Sequence, residues 1–402
     1  MKNEDYNALT PREDALNIIK KCFQNEKKGK KTAREEAKED LKKCLIKTDD
    51  GSYTLSSNNF NGKSETMHTT HGAINESIEK FVKPAKLKDK KEVHILDICS
   101  GLGYNAASCI EFLDDKTKIE MDMVEISKET IATALFIDNP LKSYEIIKEA
   151  IEEKFYDEGI IGFKFHKERL NDKININIFI DDARNTIKQF QSQKYDAIFL
   201  DPFSPLKSPE LYSVEFLSLL KYLLKDNGLI LTYTSAAPVR AAMICAGLHV
   251  GEGPSFGRKS GGTIASKNPE KIEKSLPIDD ERMISLSDAG IPFKDPQLKD
   301  SSEIIIKRRE DERKSVRGIK KFASTVKTPI YLYKDIKNER LKRRVTKSIK
   351  MLKTDDLKSK KAGFIVCPQF EECLCTCGIG RLNNSKERIN EMANRLSKVT
   401  NE

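Results

Sequence analysis

The sequence predicts an α/β fold, Rossmann-like, with a mostly parallel sheet, and three observations carry that expectation. From about residue 91, apolar runs of strand length alternate with stretches of helix length, the pattern of parallel strands joined by crossover helices. The first run, 93–98, leads into Cys99-Ser100-Gly101-Leu102-Gly103, a turn through which backbone can approach a ligand closely and which opens a helix facing it. Carboxylates also recur at three successive strand ends: Asp97, then Glu125, then Asp181-Asp182.

Length and composition agree with this class. The 402 residues are 38% hydrophobic and 33% charged, enough for one sizeable core with charged appendages and far from a disordered composition. No run reaches the roughly 18 apolar residues of a membrane span, and the start lacks a signal-peptide core. The expectation is a cytoplasmic protein with no membrane partner. Nine cysteines, four of them between 367 and 377, suit reduced thiols or a metal better than a secreted disulfide framework. Residues 307–361 hold 21 Lys and Arg against 7 Asp and Glu, an excess larger than the +9 of the whole chain. A basic module on a near-neutral remainder suggests a polyanionic partner, usually nucleic acid; a solvated charged helix without a partner is the plainer alternative.

Residues 1–90 are expected to form a small N-terminal helical and hairpin subdomain. Thr10-Pro11-Arg12-Glu13 offers a helix start, and Ala15, Leu16, Ile19, Cys22 and Phe23 recur on one face. The stretch 27–43 is too charged for a core helix, and 48–57 combines turn residues with a short extended run. Residues 91–267 form the Rossmann-like domain, with strands at 93–98, 119–124, 174–180, 197–200 and 229–233, helices at 129–136 and 214–224, and an insertion at 138–173 carrying a helix at 142–154. A polar tail follows at 268–315, then a basic, cysteine-containing extension at 316–402 ending in a helix near 384–398.

The glycine turn by itself suits any nucleotide-type ligand, since Ala106 stands where a dinucleotide fingerprint tolerates alanine. Glu125, placed to accept both hydroxyls of a ribose, and Asp182, placed to meet an adenine amine, narrow the reading to S-adenosylmethionine. Either acid alone could instead cap the helix after it. The fourth strand ends in Asp201-Pro202-Phe203-Ser204-Pro205, overhanging the same crevice. A carboxylate stiffened by prolines beside an aromatic ring resembles the acidic loop of amino-group methyltransferases. Asp201 would accept the N–H bonds of an attacking amine and Phe203 would wall off the group that carries it. A proline-rich turn whose Asp caps the next helix is the structural alternative.

Several ungapped blocks resemble the methyltransferase module of the MnmC family: residues 201–212 (DPFSPLKSPELY), 232–237 with Val239-Arg240, 253–259 (GPSFGRK), 50–55, 67–77, 289–296 and 308–313. The resemblance spans about 48–315 and implies the Rossmann-like class I methyltransferase fold. It also implies S-adenosylmethionine-dependent N-methylation of an aminomethyl group on the wobble uridine of tRNA, of the 5-aminomethyl-2-thiouridine to 5-methylaminomethyl-2-thiouridine type. By resemblance Asp97, Gly101, Gly103, Glu125 and Asp182 would hold the cofactor, Asp201 would orient the amine, and Glu76, His68 and His71 would rim the pocket. Arg258 and Lys259 suit phosphate contact. Only one Gly-x-Gly site is present, so the flavin oxidase of the bifunctional members is not expected, and a partner enzyme would supply the aminomethyl precursor. An aminopropyltransferase of the spermidine-synthase type and an inactive nucleic-acid-binding module are the rival readings.

Nothing in the resemblance accounts for residues from about 316 onward. There Cys367, Cys373, Cys375 and Cys377 offer a possible zinc or iron–sulfur site, with buried structural cysteines as the alternative. Lys342, Arg343, Arg344 and Lys347 are the densest basic cluster and the candidate grip on tRNA.

Overall fold

A computed structural model describes residues 13–55, 71–257, 260–378 and 380–401. Thr10, Pro11, Arg12, His68, Arg258 and Lys259 lie outside the described residues. The chain forms a hairpin from β1 (Leu45–Lys47) and β2 (Tyr53–Leu55), then a sheet of β3 (Glu92–Ile98), β4 (Lys118–Glu125), β5 (Ile174–Ile180), β6 (Tyr195–Leu200), β7 (Leu224–Thr232), β8 (His249–Glu252) and β9 (Thr263–Ser266). The spatial order is β5-β4-β3-β6-β7-β9-β8. The first five pair in parallel, and β9 lies antiparallel between β7 and β8. This is the α/β methyltransferase fold.

The central strands are mostly apolar because helices cover both faces; every residue of β6 is buried. From β3 the chain winds outward to β4 and β5, then returns to place β6 on the other side of β3. That reversal opens a crevice beyond the carboxyl ends of β3 and β6, where open α/β sheets bind ligands. The short strands β8 and β9 were not foreseen. Each has four residues, too few for a period-two pattern to stand out from the loop between them.

Before residue 90 the helices Glu13–Lys27 and Ala33–Leu41 pack on the core of the sheet domain, with Phe23 edge-on to Phe155 at 5.9 Å between centroids. The second helix corrects the reading of 27–43 as too charged for the core. Ala33, Arg34, Ala37 and Leu41 are buried, and Arg34 is neutralised there by Glu26 (2.5 Å) and Glu152 while donating to the Phe163 carbonyl (3.1 Å). A buried guanidinium is tolerated when its charge and donors are met. The insertion supplies one partner from its helix Tyr144–Asp157.

The tail contributes Leu276, Ile284, Phe293 and Ile305 to the same core as β7. The C-terminal extension has a smaller cluster of its own, including Leu332, Ile349, Leu352, Ile365, Met392 and Leu396. Among the described residues no helix is long and apolar enough to cross a membrane.

Candidate active site

The turn after β3 uses three left-handed residues in five: Cys99 (φ 62°), Gly101 (φ 54°) and Gly103 (φ 80°). Gly103 is constrained twice, since a Cβ there would also lie 2.9 Å from Ile147 Cγ2. The helix Tyr104–Phe112 starts from this turn. Glu125, at the end of β4, holds it from the side: one carboxylate oxygen accepts from the Gly101 N–H (3.1 Å), the other from the Ser127 N–H (3.0 Å). Ser127, not Glu125, caps the helix that follows. Burial raises the pKa of Glu125, against these two N–H donors.

Asp97 is fully buried; Asn105 and Ser100 stand close enough to favour its charged form, but neither makes a well-formed hydrogen bond to its carboxylate oxygens. Burial, reinforced by the charge of Asp201, pushes its pKa up to about 8. A buried carboxylate so weakly hydrogen-bonded is costly, and such groups are found where a ligand supplies the missing contact. The ammonium and sulfonium of S-adenosylmethionine are cations of the required sign. With the backbone cradle at Gly101–Gly103 and the carboxylate of Glu125, the residues present fit that cofactor.

Asp201 follows β6, and its N–H donates to the Ile98 carbonyl (3.2 Å), so the acidic loop starts beside the glycine turn. Asn105 Nδ2 donates to Asp201 Oδ2 at 3.1 Å. Pro202 is buried and Phe203 half-buried. Farther along this block Tyr212 is fully buried, its hydroxyl next to that of Thr232. Burial raises the Tyr212 pKa, with Tyr233, Asp201 and Cys99 adding to it, which places this phenol in the same electrostatic neighbourhood.

The rim is built by the segment before β3 and by the loop between β8 and β9. Asp50 accepts from the Asn75 N–H (2.9 Å), Ser52 Oγ from the Ala73 N–H (2.9 Å), and Tyr104 Oη from the Tyr53 N–H (2.8 Å). These bonds fasten the hairpin to the helix Ala73–Ser77 and to the helix behind the glycine turn. Glu76, in that helix, is buried and pairs with Lys80 at 2.9 Å. His71 meets Phe256 edge-on at 6.1 Å, bringing the segment before the first sheet strand against the 253–262 loop. The neck of that loop is closed by the Gly253 N–H on the Gly262 carbonyl (3.0 Å), and Arg240 braces it through Thr263 Oγ1 (2.9 Å) and the Gly262 carbonyl (3.0 Å).

Asp182 caps the short helix Ala183–Thr186 through the Arg184 N–H (2.8 Å), as the plainer alternative held, and also pairs with the Arg184 guanidinium (2.8 Å). Arg184 reaches on to Asp295 (2.8 Å) and the Asp300 carbonyl (2.8 Å), tying the tail to the end of β5. Neither Asn105 nor Arg184 had been singled out from sequence; polar residues in the first turn of a helix are ordinary, and only their partners distinguish these two.

Part of the basic excess at 307–361 is structural: Arg308 pairs with Asp300 (2.6 Å), Arg313 and Arg317 with Asp288 (3.0 and 2.7 Å), and Arg309 donates to the Ile291 carbonyl (2.6 Å). The helix Glu339–Ile349 is different. It seats Val345 and Ile349 inward and exposes Lys342, Arg343, Arg344 and Lys347; among the described residues the last three form no ion pair. The four C-terminal cysteines gather beside the separate C-terminal core.

Known proteins support this picture. The profile of a family described as S-adenosyl-L-methionine-dependent methyltransferase matches residues 146–268. An uncharacterized protein of Methanocaldococcus jannaschii, MJ0670, is 36% identical over 315 residues, covering 77% of this chain and 84% of the relative. The tRNA 5-methylaminomethyl-2-thiouridine biosynthesis bifunctional protein MnmC of Leptospira interrogans is 32% identical over 187 residues, or 45% of this chain, which spans only 28% of that relative's length. The crystal structure of MNMC2 from Aquifex aeolicus superposes with a TM-score of 0.53 at 30% identity, covering 66% of this chain and 83% of that one. The chain therefore belongs to one family with the Methanocaldococcus protein and Aquifex MNMC2, and it carries the S-adenosyl-L-methionine-dependent methyltransferase domain.

Proposed function

We propose that this methyltransferase N-methylates an aminomethyl group on the wobble uridine of tRNA, of the 5-aminomethyl-2-thiouridine type. The observation that carries the reading is the placement of Asp201 beside the glycine turn, held by Asn105 at 3.1 Å. Bound S-adenosylmethionine supplies an electrophilic methyl carbon at a sulfonium. Asp97, Glu125 and the Gly101–Gly103 backbone would hold it, with Asp182 at the adenine end, although Asp182 already serves Arg184.

Methyl transfer to an amine needs a neutral nitrogen aimed in line with the carbon–sulfur bond, so positioning is the main task. Asp201 accepts the amine N–H bonds, points the lone pair inward and takes up the proton released after transfer. Asn105 fixes one Asp201 oxygen so that the carboxylate does not rotate. Phe203 walls the side of the nucleoside, Glu76 and His71 line the rim, and His68, Arg258 and Lys259, outside the described residues, belong to the same proposed edge. The exposed cationic face of helix Glu339–Ile349 grips the tRNA backbone.

Incubation with methyl-labelled cofactor and tRNA from a strain lacking the gene, followed by nucleoside mass spectrometry, tests this reading. Label on a side-chain amine of uridine is the expected result. Label on a ring atom or ribose, or none on RNA, would overturn it.

A further inference from the structure

Cys367, Cys373, Cys375 and Cys377 bring four sulfurs within 4.8 Å of one another. Cys367 follows the helix Lys360–Val366, and the other three lie on the loop before the last helix, Ser385–Asn401. The sulfurs of Cys367 and Cys373 are 3.8 Å apart and those of Cys373 and Cys377 3.6 Å. Disulfide sulfurs bond at about 2.05 Å, so these are separate thiol groups. Four sulfurs placed at about 2.3 Å from one tetrahedral zinc ion stand about 3.8 Å from each other, close to the separations of these two pairs. An iron–sulfur cluster puts several irons and sulfides between its cysteines, and four sulfurs confined to 4.8 Å leave room for a single ion.

The surroundings suit thiolates. The Leu374 N–H donates to Cys367 Sγ (3.3 Å), and the buried guanidinium of Arg395 donates to Cys375 Sγ (3.4 Å) and Cys377 Sγ (3.6 Å). Arg395 is itself held by Glu391 (2.7 Å) and the Phe364 carbonyl (2.9 Å), with its plane over the Phe364 ring at 4.8 Å. Four thiolates around a divalent ion carry a net double negative charge, and a fixed buried cation offsets part of it. Neutral thiols give a buried guanidinium far weaker acceptors.

We propose that this tetrad is a closed, four-thiolate site for one zinc ion, with Arg395 as its cationic outer partner, that clasps the 367–377 loop to the final helix. The small C-terminal core gains a cross-link that its few apolar side chains do not supply. Ile349 of the basic helix packs in that core, so the clasp also holds the cationic face in place; this consequence for RNA rests on the function proposed above.

Plasma emission spectrometry on the full chain, purified without chelator under reducing conditions, is expected to give one zinc per chain. Replacement by cobalt is expected to give the intense sulfur-to-cobalt charge-transfer bands of a tetrahedral tetrathiolate. Cys373→Ser and Cys377→Ser lose the zinc, while Arg395→Lys keeps the fold and weakens metal affinity by about tenfold or more, as removal of an outer-shell partner does. Four freely titrating thiols with no bound metal, a disulfide, or acid-labile sulfide with an iron–sulfur spectrum would each overturn the proposal. Metal content in the unaltered chain needs neither folded variants nor methyl transfer, so failure here is separable from failure of the tRNA reading.

Discussion

Asn105 Nδ2 stands 3.1 Å from Asp201 Oδ2, joining the first turn of the helix behind the glycine cradle to the acidic loop after the neighbouring strand. In the proposed reaction, the contact couples the side of the crevice assigned to the cofactor to the side assigned to the amine. Loss of the Asp201 carboxylate should therefore cost turnover without costing cofactor. Asp201→Asn is expected to lower kcat by about 100-fold or more, the usual worth of a positioned proton acceptor, with cofactor Kd little changed. Asn105→Ala should lower kcat by roughly tenfold, since misplacement by a fraction of an ångström already reduces rates. Single-turnover assays beside equilibrium dialysis check both, and an Asp201→Asn variant with undiminished turnover would remove Asp201 from the chemistry.

Asp97 links pH to stability and to cofactor binding. Its pKa rises from an ordinary 3.8 to about 8 in the fold, through burial first and the charge of Asp201 second. Between those values the folded chain keeps a proton that the unfolded chain has released, so this group's contribution to stability declines as pH rises through the window and levels off above about 8. Asp97→Asn should flatten that part of the stability profile in urea titrations. A cationic cofactor beside Asp97 favours the ionised form, so binding near neutral pH should release protons and tighten toward pH 8. Calorimetry in buffers of different ionisation enthalpy reads that release, and proton-neutral binding would count against the placement.

Gly103 carries a strain that only glycine avoids. Gly103→Ala forces a side chain into φ 80° and against Ile147 Cγ2 at 2.9 Å. The backbone conformation alone costs about 1–2 kcal/mol. Chemical denaturation should show at least that loss, together with weakened cofactor binding because the cradle has shifted. An alanine variant as stable as the parent would show that the turn adapts.

The exposed face of helix Glu339–Ile349 is expected to act by charge alone. Replacing Lys342, Arg343, Arg344 and Lys347 with alanine should weaken tRNA binding and shallow the slope of log K against log salt by up to about 0.9 for each phosphate no longer neutralised. Cofactor affinity should not move. Filter binding at several salt concentrations decides the point, and an unchanged slope would assign the grip to another surface.

The fold was legible because its cues are local. Buried parallel strands are rich in apolar residues, an edge strand alternates apolar with polar ones, and left-handed turns favour glycine, so the runs at 93–98 and 174–180 and the pair Gly101 and Gly103 could be read directly. Other features depend on partners far along the chain. Arg34 is buried only because Glu26 and Glu152 neutralise it, which no reading of 27–43 in isolation reveals. Asp182 caps its helix and also pairs with Arg184, whose guanidinium is met in turn by Asp295 arriving from the tail.

What the sequence determined by itself was chemistry in order along the chain: an acid, a glycine turn, further acids at strand ends, a proline-stiffened carboxylate, a basic run and a crowd of thiols. Tertiary structure decided which of these charges meet. It left Asp97 buried and weakly hydrogen-bonded, turned Asn105 to Asp201, spent Arg308, Arg313 and Arg317 on intramolecular contacts, and left Arg343, Arg344 and Lys347 in solvent. The physical reason is that desolvation and pairing depend on distances between segments remote in sequence, whereas strand and turn preferences are set within a few residues.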